Sequence, residues 1–247
     1  MVTRRSFAAL AAGLLAGCTR PIRSDAATGP RLQSRPTTVA APCEPGQHPL
    51  KLREQRDTLF YVPKSAPADK PAPLVLFLHG ATGSEQQGIR RLGPLADELG
   101  FLLLSPASAD QTWDGIRDGY GPDVQTIDRA LARAFSMRRV DPARIAVAGF
   151  SDGASYAVGL GVSNGELFNA VLAFSPCFIP PGAARHGKPR IFVSHGDNDT
   201  ILPRAQCSGR LVPELKRAGY QVNYREFEGP HTVPPDVAKE ALRWFIF

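Results

Sequence analysis

No stretch of this 247-residue sequence approaches the ~18–20 consecutive apolar residues that a membrane-crossing helix needs, which excludes a polytopic membrane protein. Its 23 Gly and 23 Pro follow no period, which excludes collagen, coiled coil and solenoid. A strongly basic face is also missing. The net charge is +6, but Arg4, Arg5, Arg20, Arg23, Arg31 and Arg35 supply most of it, against Asp25 and Glu44. From Pro49 onward little positive charge is left over, so nucleic-acid binding is not indicated. What is present is an ordinary globular balance of 43% hydrophobic and 21% charged residues, in a length that suits one large domain or two small ones.

The N-terminus reads as an address. Thr3-Arg4-Arg5-Ser6-Phe7 is followed by a short run of apolar and small residues ending in Leu15-Ala16-Gly17-Cys18. The run is too short to span and has the flanks of an export signal. The arginine pair resembles a twin-arginine motif, and the final four residues resemble a bacterial lipobox, in which Cys18 would be acylated. Residues 1–17 are therefore expected to be a signal peptide and Cys18 a membrane anchor, giving an exported bacterial protein of the periplasm or cell envelope. Export by the Sec route, with a chance cysteine, is the plainer alternative. Residues 18–48 hold five prolines beyond Cys18 and no aromatic residue, so they read as a flexible tether to a domain at 49–247.

The domain alternates strand and helix. Strands are expected at Thr58–Val62, Leu74–His79, Phe101–Ser105, Ile145–Phe150, Ala170–Phe174, Arg190–His195 and Val222–Phe227. Helices are expected at Ile89–Leu99, Asp123–Arg138, Asp152–Ser163, Ala205–Ala218 and Asp236–Phe247. Continuous apolar strands and repeated βα units imply an α/β fold with a mostly parallel, doubly wound sheet, covered by helices on both faces. Chemistry in such sheets sits in the loops at the carboxyl ends of the strands.

Three of those loops carry chemistry-bearing residues in a matching order. Gly149-Phe150-Ser151-Asp152-Gly153 falls between an expected strand and an expected helix, the context that gives a G-x-S-x-G pattern meaning. A capping serine on a tight turn would be the bland explanation of that motif taken alone. A serine nucleophile needs a base. Of five histidines, only His231 follows a strand in a loop before the last helix. The base in turn needs a carboxylate, and Asp199 is the first choice, with Asp197 the alternative. Backbone N–H groups of Ala81 and Asp152 are the expected donors to an oxyanion.

His79-Gly80, the Ser151 motif, His195-Gly196-Asp197-Asn198-Asp199 and Gly229-Pro230-His231 together resemble an α/β-hydrolase. More narrowly they resemble the phospholipase/carboxylesterase-type esterases and the polyhydroxybutyrate-depolymerase and feruloyl-esterase-like group, over roughly residues 55–247. The resemblance implies a serine esterase working through an acyl-enzyme on a small ester, without a cofactor or a large lid. The Asp at position 152, where many relatives carry His, Ala or Gln, alters the pocket rim. A prolyl-oligopeptidase-type peptidase shares the order of residues but usually brings a propeller for which this chain has no room. A non-catalytic binding protein on the same scaffold is the remaining rival.

Trp113 and Tyr120, in the long Pro106–Pro122 connection, are candidates to wall a substrate pocket, although Trp113 could equally anchor the loop. Asp110, Asp114, Asp118 and Asp123 match no calcium-loop spacing, so no metal is expected. Cys177 and Cys207 fall at the same edge of neighbouring strands and, in an oxidising compartment, are expected to form a disulfide, which leaves Cys43 free.

Overall fold

The computed structural model describes residues 29–247. Their elements run β1 (Gly46–Pro49), β2 (Leu59–Val62), β3 (Ala72–Leu78), α1 (Glu85–Leu99), β4 (Leu102–Ser105), α2 (Asp114–Arg117) and α3 (Pro122–Met137). They continue with β5 (Val140–Phe150), α4 (Asp152–Ser163), β6 (Ala170–Phe174), β7 (Arg190–Gly196), α5 (Ser208–Arg217), β8 (Val222–Phe227) and α6 (Pro235–Ile246). One sheet holds all eight strands in the order β1-β2-β4-β3-β5-β6-β7-β8. Strands β3 to β8 are mutually parallel, while β1 and β2 add an antiparallel edge beyond β4.

The unbroken apolar run of β3 follows from burial on both faces of the sheet. Leu74, Leu76 and Leu78 pack with α3, α4 and α5 residues such as Ile127, Leu131, Ala157 and Leu215. Val75 and Phe77, pointing the other way, pack with Leu92 and Ala96 of α1 and with Ala241, Leu242 and Phe245 of α6. The sheet is thus the middle layer of three, and its parallel strands all end on one edge. No helix among the described residues is long and apolar enough to cross a membrane.

The expectation of a flexible tether through residue 48 is corrected from residue 29 onward. Leu32 is fully buried in the core, and its N–H donates to Asn164 Oδ1 at 2.8 Å. Arg31 reaches the Ser163 carbonyl at 2.6 Å, and Asp128 Oδ1 accepts the N–H groups of Gln33 and Ser34 at 2.9 Å each. Ser136 O accepts Ala40 and Ala41 at 2.9 Å. A segment poor in apolar residues is held here because α3 and α4 satisfy its backbone polar groups, with one leucine as anchor. Its last part, Gly46–Pro49, is strand β1. Signal residues 1–17 and Cys18, with the start of the tether, lie outside the described residues.

Cys177 and Cys207 are joined by a disulfide, and Cys43 is free. The bridge ties the loop after β6 to the N-terminal end of α5, across a separation of 30 residues. Closing a loop of that size restricts the unfolded chain by about 3–4 kcal/mol. Changing both Cys177 and Cys207 to serine is expected to lower unfolding stability by that order in urea titrations. An unchanged midpoint would show that the bridge contributes nothing.

Candidate active site

Ser151 is the hinge between β5 and α4. Its backbone lies at φ 59°, ψ −123°, a region that non-glycine residues rarely adopt. The Ser151 N–H donates to Phe174 O at 2.9 Å, extending the β5–β6 ladder, while its carbonyl accepts Ala154 N–H at 2.9 Å and starts the helix. The turn is this sharp because its flanks are glycine. A Cβ on Gly149 would collide with the Gly153 carbonyl, and one on Gly153 with the carbonyls of Leu78 and His79.

His231 and Asp199 come from the loops after β8 and β7. His231 Nε2 lies 2.9 Å from Ser151 Oγ, and His231 Nδ1 lies 2.6 Å from Asp199 Oδ2. The Asp199 side chain is fully buried, and its Oδ1 accepts Ile201 N–H at 3.0 Å and Leu202 N–H at 2.8 Å. Burial alone would push its carboxyl upward. The Leu202 N–H, His231 and His195 outweigh that and hold it below the usual carboxylate range. An ionised Asp199 fixes the proton of His231 on Nδ1 and leaves Nε2 free to accept from the serine. Asp197, the alternative carboxylate, is exposed and instead accepts Gly229 N–H at 3.0 Å, bracing the turn before His231.

The sequence does not single out His195 as a partner of Asp199, yet the two side chains are in contact. His195 is buried, its Nε2 lying 2.8 Å from Leu202 O and 3.1 Å from Asp199 Oδ2. The i, i+4 spacing from the end of β7 into the loop after it is the signal the sequence carries. Phe150 is a second unforeseen neighbour: its ring centroid sits 4.7 Å from that of His231, with the Arg91 guanidinium carbon 4.7 Å above Phe150. His48 lies half-buried on β1 and His186 on an exposed loop.

Ala81 stands in the exposed loop after β3, and Asp152 opens α4 directly behind Ser151. Among the described residues neither N–H has a hydrogen-bond acceptor. A Cβ built on Gly80 would lie 3.3 Å from Ser151 Cβ, so the loop carrying Ala81 is against the serine.

The pocket assignment of Trp113 is corrected. Trp113 is fully buried, its Nε1–H donates to His79 O at 2.8 Å, and its ring stacks 4.8 Å from His79 and 5.3 Å from Tyr156. It is an anchor for the long loop and has no surface to offer a substrate. Tyr120 is half-buried, with its ring 5.3 Å from Tyr156, and its hydroxyl is turned in against Gly159 of α4. The aspartates hold the same loop. Asp123 accepts Ala109 N–H at 2.7 Å and Asp114 N–H at 3.0 Å, and Asp114 accepts Gly121 and Asp123 N–H and the Tyr156 hydroxyl. Asp110 and Asp118 pair with Arg117 at the surface. Among the described residues no group of three His, Cys, Asp or Glu could hold a metal ion.

Two buried histidines make the fold sensitive to acid. Burial drives the His79 pKa from 6.5 down to about 4, Arg56 adding to this and the hydrogen bond to Gly80 only partly offsetting it. Burial also lowers His195. Between these values the unfolded chain binds protons that the native chain refuses. Stability is therefore complete above about pH 6.5 and falls as pH drops toward 4, by up to about 3 kcal/mol for His79. Asp199 acts lower still: its contribution is present above the ordinary carboxylate range and is lost as pH falls through its depressed value. Urea midpoints are expected to decline from pH 6.5 to 4.5, with a shallower decline in His79→Asn. Equal slopes in both proteins would contradict this.

Comparisons with solved structures agree with the fold. Esterase PE8 is 25% identical with a TM-score of 0.60, covering 73% of this chain and 95% of its own. The Bacillus cereus carboxylesterase is 19% identical with a TM-score of 0.56, over 76% and 92%. Thermogutta terrifontis esterase 2, solved phosphorylated by paraoxon, is 19% identical with a TM-score of 0.57, over 81% and 90%. No curated protein is similar in sequence to this chain. The architecture is the α/β-hydrolase fold. The profile of the phospholipase/carboxylesterase family matches residues 103–244, from β4 into α6, and so takes in Ser151, Asp199 and His231. Because that match spans more than half of the sequence, the chain belongs to the phospholipase/carboxylesterase family of hydrolases.

Proposed function

We propose that the protein hydrolyses carboxylic esters through an acyl-enzyme on Ser151. The observation that carries this is the continuous hydrogen-bonded chain from Asp199 through His231 to Ser151 Oγ, at the carboxyl edge of the sheet. In the first half-reaction His231 Nε2 takes the hydroxyl proton as Ser151 Oγ attacks the ester carbonyl carbon. The carbonyl oxygen gains negative charge facing the Ala81 and Asp152 N–H groups. The tetrahedral intermediate collapses, the C–O bond to the alcohol breaks, and His231 gives its proton to the leaving oxygen. Water then repeats the sequence on the acyl-serine, transferring its proton to His231 and freeing the acid.

The substrate side is read from the surface. Phe178 and Ile201 are two of three large apolar side chains exposed among the described residues. Ile201 follows Asp199 by two residues. Phe178 follows Cys177, whose N–H donates at 3.0 Å to Ser155 Oγ, one turn into α4 from Ser151. Both leave loops at the carboxyl edge, where an apolar acyl group would be desolvated. Among the described residues no long insertion interrupts the strands as a lid, which favours small, soluble esters. A panel of p-nitrophenyl esters of rising chain length, beside feruloyl and hydroxyalkanoate esters, tests the reading. Turnover of at least one class is expected, and turnover of none would overturn it.

We also infer, from the N-terminal sequence, that the protein is exported and held at the membrane through an acylated Cys18. Cys18→Ser is expected to move it from the membrane to the soluble fraction. An unchanged distribution would refute the anchor.

A further inference from the structure

Two side chains outside the Ser151–His231–Asp199 chain converge on the loop after β3. His79 follows that strand directly, and its ring is fully buried. His79 Nε2 lies 2.9 Å from the Ser108 N–H and 3.5 Å from Arg56 Nη2. Both neighbours are donors with no lone pair to give, so Nε2 is the acceptor and the ring proton sits on Nδ1. Nδ1 lies 2.7 Å from Gly80 O and therefore donates to it. The same carbonyl accepts Gly83 N–H at 3.0 Å.

The Gly80–Ala81 peptide is trans, like every described peptide bond. In a planar trans peptide the N–H points opposite to the C=O. Holding the Gly80 carbonyl therefore also sets the direction of the Ala81 N–H, in a peptide packed against Ser151.

Arg56 comes from the distant β1–β2 connection. Its Nε donates to Ser108 O at 2.8 Å, and its Nη2 to Gly83 O at 2.9 Å and Ser108 Oγ at 3.2 Å. One guanidinium thus ties the loop after β3 to the loop after β4 and sets its positive charge beside His79 Nε2.

We propose that Arg56 and His79 are positioning residues for the oxyanion site: Arg56 and the Ser108 N–H keep the His79 proton on Nδ1, and His79 turns the Gly80–Ala81 peptide so that the Ala81 N–H meets the oxygen of the attacked carbonyl. Neither residue touches substrate. The inference rests on the esterase reading and adds how one of its donors is aimed. The low His79 pKa supports it, since a ring that stays neutral keeps a single tautomer through the working pH range.

The test compares two amides. The nitrogen of His79→Asn stands where Nδ1 stood and can still donate to Gly80 O. His79→Gln reaches only the Nε2 position and cannot. Loss of one oxyanion donor costs about 10²–10³ in kcat. His79→Gln is therefore expected to lose about 10²-fold in kcat, with KM within about threefold and a parallel weakening of inhibition by an arylboronic acid. His79→Asn is expected to retain most of both, and Arg56→Met to lose about tenfold in kcat. A histidine-selective ¹⁵N spectrum of the wild type is expected to show the His79 proton on Nδ1.

Wild-type kcat in His79→Gln, or equal losses in the two variants, would overturn the proposal. So would a proton on Nε2, a result that does not depend on the variants folding. A wild type that neither cleaves esters nor binds the boronic acid would overturn the esterase reading instead, and the spectrum would still decide the tautomer.

Discussion

Replacing Ser151 by alanine is expected to reduce kcat for p-nitrophenyl acetate by about 10⁴–10⁶, with little change in KM, the scale seen when a nucleophile that acts as a unit with its base is removed. The size of the loss follows from the absence of a substitute. Ser155, one helical turn away, is buried, and its Oγ already accepts the Cys177 N–H. Among the described residues, no other serine has its hydroxyl at His231 Nε2. Removing the hydroxyl leaves the fold intact, because the Ser151 contacts that hold the turn, to Phe174 O and from Ala154 N–H, are backbone. A variant retaining a tenth of wild-type kcat would mean that another group attacks the ester.

Asp199→Asn is expected to cost about 10⁴ in kcat, and Asp197→Asn no more than a few-fold. The asymmetry is geometric. Oδ1 of Asp199 faces two N–H donors, from Ile201 and Leu202, so an asparagine must keep its oxygen there. Its NH₂ then faces His231 Nδ1 and forces the ring proton onto Nε2, where it blocks acceptance from Ser151. His195 Nε2, 3.1 Å away, would lose its second acceptor as well. At Asp197 an asparagine oxygen still accepts the Gly229 N–H. A larger loss at 197 than at 199 in steady-state kinetics would reverse the assignment.

Much of this was legible in the sequence because local chemistry dictated it. The spans of α4 and β6 match their expected limits, since small residues at helical spacing and an apolar run between polar breaks leave few alternatives, and the span of the more polar β8 matches as well. The Ser151 turn was legible because only glycine fits at 149 and 153. What escaped depends on contacts far apart in the chain. Leu32 is one leucine in a polar, proline-bearing segment, and nothing local says that Asn164 will cap its backbone. Trp113 could face in or out, and the choice is made by the carbonyl of His79, 34 residues earlier. The choice between Asp197 and Asp199 turned on which carboxylate the loop after β7 buries. Arg56 belongs to no motif, and its role follows from where the β1–β2 connection passes.

The central claim is that Ser151 is the nucleophile, and covalent capture tests it most directly. The wild-type protein treated with a fluorophosphonate is expected to gain one adduct by intact mass, mapped to the peptide carrying Gly149-Phe150-Ser151, with no adduct in Ser151→Ala. An adduct on any other residue, persistent labelling of Ser151→Ala, or no adduct on an otherwise ester-cleaving wild type would contradict the account.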